Sequence, residues 1–353
     1  MIKIIAMFAA ILLIPFHVFA KPAVLEWRPK RFSYEGHVFF NATNSAVQGE
    51  KYLLNQQLSN VKLGSELQIN DWNKTKGLLI YNTLPTPINP QFYFDQLYHE
   101  LKIPNSHWYL EGGRKWVAFG NYKSDLIYKP LTKALGQTNE LTAVMGYDAD
   151  YYMNVSIFSP YSRISYSSLP YYNLNVGIHK RTYDIGGSYL YSLADSQLFQ
   201  YNKGFGGFLE RTIHSKVPGF AAYVHLNYKK AGASLTYVTA VHPFQLSELS
   251  YNRKGAKPQA FSLQSSYELM IKKTPVKLIG FYEYSYDALA LRIPKKRLGV
   301  GLAAYPKRYL TAQFQYFKDY EYSSHDEASG LTKTIVGSSA KVNTFALQLI
   351  VNF

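Results

Sequence analysis

One pattern constrains this chain more than any other: apolar residues return at every second position, in segment after segment. After the first twenty residues, no stretch is long and apolar enough to cross a membrane as a helix. In the last segment Phe345, Leu347, Leu349, Val351 and Phe353 alternate with Thr344, Ala346, Gln348, Ile350 and Asn352. Apolar side chains on one face and small or polar ones on the other suit a strand held between lipid and a wet lumen. The alternation recurs at Val61, Leu63, Leu67 and Ile69, at Tyr172, Leu174, Val176 and Ile178, at Phe220 to Tyr228, and at Leu310 to Tyr316. A period of two along the whole chain predicts one closed sheet.

The fold class expected is therefore all-β, a transmembrane antiparallel up-and-down β-barrel of about 16 strands. The strands read at 31–41, 60–70, 76–83, 92–101, 107–115, 139–147, 150–158, 171–178, 182–192, 219–228, 231–240, 256–269, 275–285, 296–305, 308–319 and 341–353. Connections alternate short and long, as periplasmic turns and outer loops do. Phe353, a terminal aromatic after such alternation, resembles the signal by which the barrel assembly machinery selects its clients.

The amino terminus has Lys3, an apolar run from Ile4 to Phe16, and Val18-Phe19-Ala20 before Lys21. That order predicts a secretory signal over residues 1–20, cut between Ala20 and Lys21, with export through the Sec route. Residues 21–353 then form a single barrel domain in the outer membrane. The chain has no cysteine, which excludes disulfides, thiol chemistry and a lipid-anchoring cysteine. The formal net charge of +15 lies largely at short turns, at Lys180, Arg181, Lys229, Lys230, Lys272, Lys273 and Lys307. Anionic phospholipid headgroups account for these better than a nucleic acid, so outer-membrane lipid is an expected partner and nucleic acid is not.

No histidine among the nine stands in a signature spacing with a nucleophile or an acidic cluster. Gly204, Gly206 and Gly207 lie in a β context and make no phosphate loop. No catalytic residue, metal or cofactor is expected. The least ordinary stretch is GRKWVAFGNYKSDLIYKPLTKALGQT, from Gly113 to Thr138, which leaves a strand and enters the third outer loop. Such a loop can fold into the lumen and narrow it. Arg114 and Lys115 at its base, with Lys123 and Lys129 within it, are candidates to hold carboxylates of a solute. The alternative is that the segment only packs, with glycines and Pro130 for turns and Trp116, Phe119 and Leu131 for a small core.

With its lead-in FDQLYHEL at 94–101, this stretch resembles the LbtU family of siderophore porins. The matching residues are Phe94, Asp95, Tyr98, Gly113, Arg114, Val117, Phe119, Gly120, Asn121, Ser124, Pro130, Leu131, Thr132, Leu135, Gly136 and Thr138. Ala118 stands where that family usually has Pro, and Tyr128-Lys129 precede Pro130 where an acidic residue is common. The resemblance implies an outer-membrane route for a ferric siderophore, of polycarboxylate type in the name-giving case, without the plug of an energy-coupled receptor. Length agrees independently, since 353 residues cannot supply a plugged 22-stranded transporter. The rival readings are a general or organic-anion porin, an adhesin or surface antigen acting through loops 193–218 and 320–340, and, more distantly, an outer-membrane hydrolase.

Overall fold

A computed structural model describes residues 31–47, 53–84, 90–159, 171–201 and 216–353. Sixteen antiparallel strands close into one barrel, each bonded to its neighbours in sequence, with Arg31–Val47 pairing Lys341–Asn352 to complete the circle. Closure satisfies every strand edge, which a bilayer without water demands. At the seam Gly36 N–H donates to Phe353 O (2.9 Å) and Phe353 N–H to Gly36 O (3.0 Å). Among the described residues no helix is long and apolar enough to cross a membrane, so the strands carry the span.

The alternation sets the register. Directly opposed residues share a face. Leu278, Leu302, Phe314 and Leu347 form one row across four adjacent strands, and all are exposed on the outside. Met145, Val155, Leu174 and Tyr189 form another. Tyrosine and phenylalanine gather toward the ends of this band, with Tyr172, Phe220 and Tyr286 at one end and Tyr151, Tyr228, Tyr267 and Tyr309 at the other. An exposed apolar wall with aromatic borders marks an outer-membrane barrel. Inside, Asn154, Asn173, Asn175, Ser188, Gln264, Gln315 and Gln348 are buried and polar.

The sixteen strands and the alternation of short turns with long loops stand as expected. Lys272 and Lys273 both take positive φ (46° and 74°), the backbone of a type I′ turn, which matches the twist of its two strands. The first hairpin departs from expectation. Its strands run on to Val47 and begin again at Leu53, within the expected 42–59 loop. A bulge between Phe39 and Phe40 shifts the register there, and Ala42, Asn44 and Ala46 leave no apolar alternation to read. The expected signal peptide and its cut at Ala20 and Lys21 lie outside the described residues.

The outer loops are more structured than their sequence suggests. Ser250–Tyr251, Lys254–Gly255, Glu327–Ser329 and Thr334–Val336 form a small four-stranded sheet. Phe199, Phe244, Leu249, Leu291 and Tyr322 beneath it belong to one buried cluster with Phe119, Leu131 and Leu135 of the third loop. The main apolar core therefore lies among the loops at the mouth.

Leu347 lies near the middle of its strand, on the lipid side. Leu347→Arg is expected to lower the free energy of unfolding by about 2–4 kcal/mol, measured by equilibrium denaturation in lipid vesicles.

Candidate functional site

The third loop leaves the Trp108–Trp116 strand and returns as Asn139–Asp148. Val117 N–H donates to Thr138 O (2.9 Å) and ties its neck. From there the loop folds inward and is fixed to the opposite wall, one strand after another. Gly120 N–H donates to Ser188 Oγ (3.0 Å), and Asn121 Nδ2 to Asp184 Oδ2 (2.9 Å). The Asn121 carbonyl accepts from Thr236 Oγ1 (3.0 Å) and His225 Nε2 (3.2 Å). Ser124 Oγ donates to Gln264 Oε1 (2.9 Å), and Asp125 pairs with Lys277 (2.5 Å) while its carbonyl accepts from Gln313 Nε2 (3.3 Å). Tyr128 N–H reaches Gln315 Oε1 (3.1 Å), and its ring meets Phe317 edge-on at 4.9 Å. The attachments run from the Tyr183–Leu190 strand to Leu310–Tyr320.

Motif residues build this fold. Gly113 has φ +137°, and a Cβ there would lie 2.4 Å from the Leu97 carbonyl oxygen, so only glycine fits. Gly120 has φ +75° under the Tyr122 ring. Pro130 precedes the helix Leu131–Gly136, whose Leu131, Thr132 and Leu135 are buried. A Cβ on Gly136 would lie 2.2 Å from the Tyr122 hydroxyl. Phe119, 1% exposed, packs against Leu193 and Gly219 in the shared core.

On its other side the loop presents Lys129 and Lys133 toward Lys62 and Asp95. Lys129 Nζ donates to Gln137 Oε1 (3.3 Å), and Lys62 Nζ sits 4.6 Å from the centre of the Phe39 ring. Asp95 is buried and committed to neutral partners: it accepts from Trp116 Nε1 (2.9 Å) and Asn139 Nδ2 (3.3 Å). Among the described residues, none of the three lysines is in ion-pair contact with a carboxylate. Enclosure by protein holds the Lys129 ammonium below the ordinary lysine range. Lys133 and Lys62 act in the same direction, against Asp95. Enclosure likewise lowers Lys133, with Asp95 opposing. The Lys129 side chain nonetheless keeps an exposed surface. Three lysines and one buried aspartate thus face one another between the loop and the first strands.

The four cations expected to hold a solute are dispersed. Arg114 is exposed and sits in register with Leu97 and Leu141, both on the lipid side, so alternation turns it away from the lumen. Lys115 is in close ion-pair contact with Glu111 and lies over the Tyr98 ring. Lys123 is near Asp184 (3.7 Å) and borders a polar cavity of about 640 Å³ beneath the loop, shared with His225, Gln264 and Lys277. Of the four, Lys129 alone lies in the group with Lys62, Lys133 and Asp95. Lys62 is legible in sequence as a lumen-facing position, but nothing in the sequence sets it opposite Lys129. Among the described residues no group of three or more His, Asp or Glu gathers as a metal site.

No family model matches the chain. A UPF0422 protein of Coxiella burnetii is 23% identical over 315 residues, covering 85% of this chain and 66% of that protein. A UPF0422 protein of Legionella pneumophila is 27% identical over 211 residues, 55% of this chain and 40% of its own length. The chain thus spans less than two thirds of these relatives. Among solved structures, OmpF of Salmonella typhi in complex with daunomycin aligns at TM-score 0.61 with 9% identity, over 91% of this chain and 97% of that one. The outer membrane channel DcaP of Acinetobacter baumannii aligns at 0.57 with 12% identity, over 91% and 97%. OmpT of Vibrio cholerae aligns at 0.55 with 12% identity, over 92% and 100%. At these identities the likeness is one of fold.

Asn121→Ala with Ser124→Ala removes two side-chain anchors, each worth about 1 kcal/mol. The barrel is expected to assemble normally, while single-channel conductance in planar bilayers rises and becomes noisier as the loop loosens.

Proposed function

We propose that this protein is an outer-membrane porin for anionic solutes, and that its cargo is a ferric siderophore of the polycarboxylate type. One observation carries the reading: a loop anchored across the lumen offers Lys129 and Lys133 toward Lys62, three cations against the single Asp95, with no carboxylate in ion-pair contact with them among the described residues. Clustered cations enclosed by protein favour an entering anion and repel cations. Carboxylates of a chelate would bind there as they displace water, and iron would arrive already complexed, as part of the substrate. The resemblance to siderophore porins at residues 94–138 supports the choice of cargo, and the fold shared with OmpF and the channel DcaP supports passage through the barrel. Export by the segment cut after Ala20, and insertion through the terminal Phe353, belong to the same reading.

A passive pore equilibrates its solute, so net uptake requires a sink in the periplasm. A general anion porin is the second reading, favoured because this group offers lysines, which attract carboxylates without the bidentate geometry of arginine.

Planar-bilayer reversal potentials under a potassium chloride gradient are expected to report anion selectivity, which Lys129→Gln with Lys133→Gln reduces several-fold. The cations exist only below their pKa. Selectivity should therefore hold at neutral pH and fall as pH rises, starting below the ordinary lysine value of about 10.4. Cation selectivity in the wild-type pore would remove the proposal. For the cargo, a strain lacking the protein is grown under iron limitation on purified ferric siderophores, one at a time. Loss of growth on one polycarboxylate chelate, restored by the gene, is expected; normal growth on all of them leaves the general anion porin.

A further inference from the structure

The outer wall carries a charge cluster unrelated to the lumen. Lys296 stands in register with Tyr284 and Tyr320, Lys341 with Tyr320, and Lys318 with Leu298 and Asn343. Opposed residues share a face, and this face includes the exposed Leu298, Val300, Phe314, Phe345 and Leu347. All three lysines are therefore on the lipid side, on neighbouring strands, at the end of the barrel that carries the long loops. Lys296 and Lys341 flank the Tyr320 position, and Lys318 lies diagonally below both, roughly 7–8 Å away by sheet geometry.

Lys296 Nζ lies 5.3 Å from the Tyr282 ring centre and 5.5 Å from that of Tyr320, and Lys318 Nζ lies 5.6 Å from Tyr320. The nearby acids belong to the opposite face: Asp319 takes both its contacts from Arg297 (2.7 and 2.9 Å), and Glu283 lies beside the same guanidinium. Among the described residues, none of the three lysines is in ion-pair contact with a carboxylate. Among the described residues, and Arg114 apart, lipid-side positions at the other strand tops are uncharged, as at Phe92, Leu141, Tyr172, Tyr189, Phe220 and Gln259.

We propose that Lys296, Lys318 and Lys341 form a binding site for the phosphate groups of a phosphorylated glycolipid in the outer leaflet. Three like charges held together call for an anion of more than one charge. Their place directly above an apolar wall calls for an anion attached to acyl chains. The phosphates sit on the ammonium groups at the tyrosine level, and the chains lie along Val300, Phe314, Phe345 and Leu347. The lysines at the short turns serve the other leaflet and are spread around the circumference, one turn after another.

The test is a titration of the full-length barrel in nanodiscs with diphosphorylated lipid A, with its dephosphorylated form, and with phosphatidylglycerol. Wild-type protein is expected to prefer the diphosphorylated lipid over both. K296Q/K318Q/K341Q is expected to lose about a hundredfold in affinity for it, and K318Q alone about fivefold. K180Q/K230Q, at the short turns, should bind as wild type. Heat-modifiable gel migration checks that each variant is folded. Equal binding of the dephosphorylated lipid or of phosphatidylglycerol, or undiminished binding by both the single and the triple variant, overturns the proposal. So does loss of a protein oligomer without loss of lipid binding, which would make the occupant a second copy of the chain. None of these outcomes bears on selectivity of the lumen.

Discussion

Everything in this structure depends on the absence of water from the hydrocarbon layer. A backbone N–H or C=O with no partner there costs several kcal/mol, so the sheet must close, and it closes at Gly36 and Phe353. Closure fixes which residues can face inward, and that fixes where polarity can be placed. The usual relation between core and surface is then reversed. Large apolar side chains of the strands are exposed on the outside, many buried side chains of the wall are polar, Asn, Ser, Thr and Gln among them, and the main apolar cluster gathers around the loops at the mouth.

The third loop solves a second problem, that of a polar segment inside a lumen. Its backbone groups need partners, and the strand side chains supply them: Ser188 and Gln315 accept from its amides, and Thr236, His225 and Gln313 donate to its carbonyls. Most of these bonds are neutral, and the ion pair of Asp125 with Lys277 and the bond from Asn121 to Asp184 add charged contacts. On the free side Lys129 and Lys133 make no ion pair among the described residues, and Asp95 is the acid that acts on them through space.

The barrel was legible because its rule is local: a residue and its second neighbour suffice to show a strand, and Gly or Lys pairs mark the turns. The rule failed between Ala42 and Asn60, where Ala42, Asn44 and Ala46 keep the pairing but carry no apolar signal. For residues 113–138, length and a resemblance left two paths open, into the lumen or packed upon itself. The residues gathered at the tip of this segment were not legible, because they depend on register across strands far apart in sequence. Arg114 shows the difference: as a cation at the base of the loop it suggests a ligand, yet one residue of parity sends it to the lipid side. Lys62 was the reverse case, an inward-facing lysine with no local sign of what it faces. The small sheet over the mouth, in strands of two and three residues, was too short for any periodicity to show.

The concentration of the loop's fastenings on one half of the circumference divides the wall into two kinds of ground. Strands from Tyr183 to Tyr320 carry the anchors, so a change to Ser188, Gln264 or Gln315 disturbs the loop itself. The first strands hold fewer: Thr43 bonds the Tyr128 hydroxyl and Asp95 holds Trp116 at the base of the loop, while Lys62 carries no anchor. Away from Thr43 and Asp95, single substitutions on that half can therefore change the charge of the inner wall while the loop keeps its fastenings, so a new lumen chemistry need not wait for a new architecture.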